Sequence, residues 1–345
     1  METTDKIKEN ALINLLAGGF NRSPDQLNKL HESDAELINL PEACVTLALT
    51  TDTIAEEIET GLYGDPYLAG RMIVIVNLSD LSAVGANPIG LLLSEIFAAD
   101  TDKNFISELQ RGISEACIEA GTYILGGDTN TGAKTQIGAT AAGIISDGKI
   151  ITRKGCSSGD ILFTSGKLGA GNAFAFSALL TGNGKSVFPF SPVIRTKEGM
   201  IIRKHGSCCM DTSDGAIATI DQLMRINGMG FVINAEYKDY IDDNVMGLSH
   251  KINIPVFNFL AGIHGEFELI FTVPKENLES FLKGAEAVGW KPVQLGNVIA
   301  EQEIIINKGD GYIKPDTAFI RNLFEEKKGN VKEYAEELIK YSMEM

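Results

Sequence analysis

Six aspartates in five short stretches stand beside small or hydroxylated residues: Asp34 in "SDAEL", Asp52 in "TTDT", Asp80 in "NLSD", Asp128 in "GGDT", and Asp211 with Asp214 in "DTSDG". Such carboxylates suit Mg²⁺, a hard cation that takes oxygen ligands, commonly one or two carboxylates together with substrate phosphates. Singly, each stretch has a plainer reading. Aspartate after serine or threonine caps helices by accepting from orphan backbone amides, and "GGDT" by itself is a turn signal. Asp80 resists that reading, because "IVIVNLSDLSAVGANP" (73–88) is apolar around it and places it inside a helical pattern. An ionised carboxylate in such a setting needs a cationic partner. Together the six would supply ligands for two or more ions, although spacing does not make them converge.

The elements that must position these residues are legible in outline. "ACVTLALTTDT" (43–53) reads as a buried strand ending in polar residues, 66–86 as a helix and "IGLLLSEIF" (89–97) as a strand. In "NFISELQRGISEACIEAG" (104–121), Ile106, Leu109, Ile113, Cys117 and Ala120 recur at helical spacing, with Gly121 as the stop. "TYILGGDTNTG" (122–132) reads as a short strand and a glycine-rich turn, and "QIGATAAGIIS" (136–146) as a strand. After the polar turn "RKGCSSGD" (153–160), strands are expected at "ILFTSG", "GFVIN" and "ELIFTV", and helices at "LGAGNAFAFSALL", "SDGAIATIDQLMRING", "ENLESFLKGAEAVG" and 331–343. This mixed order implies two α+β domains, with boundaries at 1–150 and 151–322 and a helical tail at 323–345.

Composition bounds the class. The 345 residues exceed one ordinary core, and 44% hydrophobic with 22% charged residues describes a globular chain. No stretch is long and apolar enough to span a bilayer, and "METTDKIKEN" is charged, unlike a signal peptide, so a cytoplasmic protein is expected, with no membrane partner. A net charge of −16 argues against nucleic acid; a phosphorylated small molecule bridged by Mg²⁺ stays open. The cysteines, Cys44, Cys117, Cys156, Cys208 and Cys209, lack C-x-x-C spacing and read as buried, reduced thiols without zinc. The histidines, His31, His205, His250 and His264, share no metal-ligand spacing, and "SGKLGAGNA" (165–173) departs from a phosphate-loop pattern, which favours helix packing.

Seven motifs in order, "SDAEL", "TTDT", "NLSDLSAVGANP", "GGDT", "TRKGCSSGD", "DTSDG" and "GEFELIFTVP", resemble the superfamily of aminoimidazole ribonucleotide synthetase, selenophosphate synthetase, the hydrogenase maturation factor HypE and thiamine-monophosphate kinase. Within it the chain is most similar to thiamine-monophosphate kinase, although "DPYLAGRM" leans toward selenophosphate synthetase. The resemblance implies Mg²⁺ on Asp34, Thr51, Asp52, Asp80, Asp128, Asp211 and Asp214, with Asp80, Asp128 and Asp214 central to catalysis. It implies ATP contacts from Gly127, Asp128, Arg153 and Ser213, a small phosphorylated acceptor, and a homodimer whose N-terminal domains pair into a β-barrel, followed by a C-terminal α/β sandwich. The implied activity is ATP-dependent, Mg²⁺-requiring phosphorylation of thiamine monophosphate. The alternatives are a superfamily enzyme with another acceptor, selenophosphate synthetase-like or aminoimidazole ribonucleotide synthetase-like, and a regulatory or assembly protein that binds ATP without turnover.

Three departures bear on that choice. The family's "GDDAAV" is "SDAEL" here, and "GEDYEL" is "HGEFEL". A substrate-holding histidine expected after "TDT" aligns near Glu59, where an anion would repel an incoming phosphate unless metal or a lysine screens it. The tail carries no cysteine, unlike HypE, and no Cys-Gly-Cys-like segment precedes Asp34, unlike selenophosphate synthetase.

Overall fold

The computed structural model describes residues 6–17, 21–181, 186 and 188–345. After α1 (Lys8–Ala17), the first half runs β1 (Glu36–Leu40), β2 (Val45–Thr53), α2 (Ala55–Glu59), α3 (Pro66–Ala83), β3 (Asn87–Ala98), α4 (Lys103–Ala120), β4 (Ile124–Gly132) and β5 (Gln136–Ile145). Its five strands form one sheet in the order β1-β2-β5-β3-β4. All neighbours are antiparallel except β3 and β4.

Local chemistry sets the two long helices. Asp65 accepts from the Tyr67 amide at 3.0 Å and Pro66 supplies the first helical residue, so α3 starts there. Asp102 caps α4 in the same way, and Gly121 ends it in the left-handed region at φ 67°. The helices pack closely through Gly70 and Gly112. A Cβ on Gly70 would lie 2.0 Å from the Leu109 carbonyl, and one on Gly112 would lie 2.2 Å from that of Tyr67. Sheet, α4 and the second half of the chain enclose α3 on nearly every side, which is why its sequence is apolar all round and not in a single stripe.

The second half runs β6 (Ile161–Thr164), α5 (Ala170–Thr181), α6 (Thr196–His205), β7 (Cys208–Asp211), α7 (Ala216–Asn227), β8 (Gly230–Ile233), α8 (Tyr237–Tyr240), α9 (Asp243–Ile252), α10 (Phe257–Ala261), β9 (Leu269–Val273), α11 (Leu278–Ala287), β10 (Val293–Ile299), β11 (Ile304–Asn307), β12 (Tyr312–Ile313), α12 (Thr317–Glu326) and α13 (Val331–Glu344). A seven-stranded sheet is ordered β12-β11-β8-β10-β6-β9-β7. Helices cover both its faces, so β6 and β9 are buried at every residue and read as continuous apolar runs. One face packs Leu162 and Ile270 with α7 and α13; the other stacks Phe163, Phe271, Phe281 and Trp290.

The mixed α+β architecture with two sheets matches expectation, and four details differ from it. "GGDT" is no turn: residues 124–132 form one strand, because parallel pairing with β3 satisfies its backbone and outweighs local turn preference. Cys44 is exposed, while the other four cysteines are buried. A tail starting at 323 would cut α12, and α13 buries Tyr334, Ala335 and Leu338 in the second core, beyond a merely solvated helix. Helix α1 docks on α12: the Lys8 amide donates to Asn322 Oδ1 at 3.0 Å, and Glu9 pairs with Arg321 at 3.0 Å. None of the described helices is long and apolar enough to cross a membrane.

Candidate active site

Asp80 lies in the last turn of α3, whose end also carries the negative pole of the helix dipole. Opposite it, β7 ends at Asp211, and the segment before β1 supplies Asp34. Ligand oxygens of Asp34, Asp80 and Asp211 lie within 4.8 Å of one another. Like charges at that separation repel by about 3 kcal/mol per pair at an effective dielectric near 20. Hydroxyl donors hold the oxygens in place. Thr50 Oγ1 donates to Asp80 Oδ2; Ser79 Oγ donates to Asp211 Oδ2 at 2.6 Å, and Ser213 Oγ to Asp211 Oδ1 at 2.9 Å. The Ser79–Asp211 bond joins the two halves of the chain at the site.

One half-buried cation enters this group. Arg153 Nη2 donates to Asp34 Oδ1 at 3.0 Å, and its amide donates to the Glu32 carbonyl at 2.8 Å. It neutralises one carboxylate and leaves Asp34 Oδ2 buried without a hydrogen-bond partner. Burial pushes Asp80 well above the ordinary carboxylate range, and Asp52, Asp211 and Asp34 add to the push. Asp211 is raised to about 7 by burial and then by Asp34. Asp52, close to Asp80, is raised by burial, with Asp34 adding to the push. Asp214 is raised to about 6 by desolvation and then by Glu9. An all-oxygen set with an orphaned carboxylate oxygen and more negative charge than its one cation balances fits a divalent hard cation.

The expected residues do not all gather here. Thr51 presents its hydroxyl to the opposite face of β2, donating to the Ala139 carbonyl at 2.9 Å, because side chains alternate along a strand. Asp128 is exposed on β4, where it accepts from Asn130 Nδ2 at 2.6 Å. The strand order β2-β5-β3-β4 puts it three strand spacings from Asp52, about 14 Å along the sheet, too far to share an ion within one chain. Gly127 lies beside it on the same strand, and a Cβ there would meet the Leu93 carbonyl at 2.5 Å, so close β3–β4 pairing explains that glycine. Thr50, Ser79 and Glu57 escaped the sequence reading. Thr50 had a signal: two residues before Asp52 on a strand, it shares that residue's face.

Around the aspartates the remaining candidates resolve. The first-turn amides of α5, Gly169 and Gly171, donate to Glu266 Oε2 at 2.8 and 3.4 Å. The chain's own carboxylate therefore occupies the helix end that "SGKLGAGNA" suggested for phosphate. His264 Nδ1 donates to the Gly171 carbonyl at 3.1 Å, so its Nε2 accepts from the Tyr63 hydroxyl at 2.9 Å. Burial lowers its pKa to about 4 and keeps the ring neutral. Glu59 at the end of α2 pairs with Lys134, which supplies the screening its position requires. Beside α2 a cavity of about 710 Å³ opens, reached by Glu57, Asp214 and His264.

The family model described as AIR synthase related protein, N-terminal domain, matches residues 32–145. A thiamine-monophosphate kinase of Buchnera aphidicola is 27% identical over 304 residues, covering 81% of this chain and 90% of that protein. A thiamine-monophosphate kinase of Nitrosopumilus maritimus is 26% identical, covering 82% of this chain and 90% of that protein. The solved structure described as AaThiL complexed with AMPPCP and TMP shares the fold, with TM-score 0.73 and 22% identity over 90% of this chain and 97% of that one. Motif order and these matches agree: residues 32–145 resemble an AIR synthase related N-terminal domain, and over 81% and 82% of its length the chain is similar in sequence to these two thiamine-monophosphate kinases.

Proposed function

We propose that the protein is an ATP-dependent thiamine-monophosphate kinase, transferring the γ-phosphoryl group of ATP to thiamine monophosphate to give thiamine diphosphate. The observation that carries this reading is the gathering of Asp34, Asp80 and Asp211 beside Arg153 in a chain whose curated relatives are kinases of that name. Asp34, Asp80 and Asp211 would hold Mg²⁺, with Asp52 and Asp214 adjacent. When bound, the ion neutralises phosphate charge and lets two anions approach.

The chain's own groups do the rest. Arg153 remains protonated, with Asp34 as its partner, and offers a fixed positive charge toward phosphate oxygens. Ser213 and Ser79 lock the Asp211 carboxylate, so no reorganisation is needed during transfer. The acceptor is already a phosphate oxyanion and requires no strong base, which agrees with the neutral, hydrogen-bonded His264. The ion pair with Lys134 offsets the repulsion that Glu59 would exert on that phosphate.

The test is direct. Thiamine monophosphate should raise ADP release well above the basal rate, with thiamine diphosphate appearing in equal amount by chromatography. Mg-ATP binding without any diphosphate product overturns the assignment.

A homodimer belongs to the same proposal. The outer edge of β4 has no strand partner among the described residues, and Leu92 and Leu125 beside it are 50% and 55% exposed. An open apolar edge of this kind is normally covered. Light scattering should give twice the 37.1 kDa chain mass, and Leu125→Glu should shift it toward the monomer; a wild-type monomer at micromolar concentration refutes the dimer.

A further inference from the structure

The cavity beside α2 carries an unbalanced charge. Glu9, Glu56, Glu57, Asp214 and Glu325 reach it, against the single cation Arg321. Arg321 is already engaged: Nη2 holds Glu9 at 3.0 Å, and Nη1 lies 3.3 Å from Asp221 Oδ2 and donates to Gln222 Oε1 at 2.6 Å. Among the described residues no lysine or arginine lies within ion-pair distance of Glu56, Glu57 or Asp214. Glu9 is thus neutralised, Glu56 and Glu325 are exposed, and Asp214 stands beside the aspartates proposed to hold the metal. Glu57 is left without a task. It is partly buried on the short helix α2, close enough to Asp52 and Asp214 for both to raise its pKa after desolvation has done so. Across the cavity stand the rings of Phe176 and Phe324, and Leu179 and Ile263 form an apolar rim.

Aromatic faces and an unpaired carboxylate are the two features that bind organic cations: the ring quadrupole attracts positive charge, and a partly desolvated anion gains most from a cation that replaces lost water. Neutral ligands would leave Glu57 stranded and anionic ones would meet five carboxylates. We infer that this cavity takes the positively charged heteroaromatic ring of the acceptor, and that Glu57 selects for the charge. The inference rests on the kinase reading, in which the acceptor's phosphate faces the aspartates while its cationic ring enters the cavity beside them. Glu57 lines the cavity within reach of the charges of Asp52 and Asp214, so a short linker from the phosphate would bring such a ring to it. Its removal acts on ring recognition and not on the transferred phosphoryl group.

The experiment compares thiamine monophosphate with its 3-deaza analogue, whose thiophene ring has the same shape and no charge. For Glu57→Gln the KM of thiamine monophosphate should rise about tenfold to a hundredfold, while that of the analogue changes less than about twofold. Glu57→Asp should recover part of the loss. Equal losses for both substrates, or no loss for either, overturn the assignment, since a merely structural role cannot sense ring charge. Calorimetry with unphosphorylated thiamine and 3-deazathiamine separates this from the kinase reading. If the wild type makes no diphosphate, the kinase assignment fails. The cavity assignment stands if the wild type still prefers the cation and Glu57→Gln does not, and it falls if no preference is found.

Discussion

Replacing Asp80 with asparagine lowers ATP-dependent turnover at least about a thousandfold and raises the melting temperature of the metal-free protein. The first effect follows from the proposed ion: a carboxylate that would hold it at the phosphate site would support several kcal/mol of charge stabilisation, and about 4 kcal/mol corresponds to that factor. The second follows from crowding. Asp80 is half-buried at the C-terminal end of α3 with Asp52, Asp211 and Asp34 around it, and each raises its pKa. Asparagine keeps an acceptor for the Thr50 hydroxyl and removes the repulsion. Added Mg²⁺ should therefore stabilise the wild type and leave the variant nearly unchanged. Asp211→Asn should behave alike, because its carboxylate is raised to about 7 by burial and Asp34. Calorimetry in chelator and in Mg²⁺, with ADP-release kinetics, reads both effects. A variant that is destabilised without metal and turns over normally at limiting Mg²⁺ would falsify the metal assignment.

The second large effect concerns Glu266. Burial, with Glu268 adding, raises its pKa to about 8 against an ordinary value of 4.5, while the Gly169 and Gly171 amides oppose the shift. Between those two values the folded state binds more protons than the unfolded one. The stability contributed by the neutral form is thus complete near pH 4.5 and is lost as pH rises toward 8. A shift of that size amounts to about 5 kcal/mol. Glutamine copies the neutral acid and can still accept from the two glycine amides, so Glu266→Gln should melt several degrees above the wild type at pH 8.5 and no higher at pH 5. Scanning calorimetry at both pH values, in excess Mg²⁺ to hold the aspartates ionised, provides the check. Equal melting differences at the two pH values would show that Glu266 is ionised throughout.

What the sequence by itself determined is what is local. Helical spacing, the Asp65 and Asp102 caps and Gly121 are contained within one element each, so α3 and α4 were legible to within a few residues. Seven strands of the two sheets, β2 to β6, β8 and β9, could be read at least in part from apolar runs for the same reason, and ordered motifs carried the resemblance to the superfamily. The aspartates stood out as candidate Mg²⁺ ligands. Which of them meet was decided by tertiary structure alone, because the decisive contacts span the chain: Ser79 reaches Asp211 across 132 positions and Arg153 reaches Asp34 across 119. Strand order separated Asp128 from Asp52, and the β2 pleat turned Thr51 away while bringing Thr50 onto Asp80. Turn preference at "GGDT" yielded to pairing with β3. Glu266 on the α5 amides, Lys134 on Glu59 and the charge around Glu57 likewise depend on elements distant in sequence. Local spacing carries torsional and capping preferences, whereas burial, repulsion and ion pairing are set by distances that exist only once the two sheets have packed around α3.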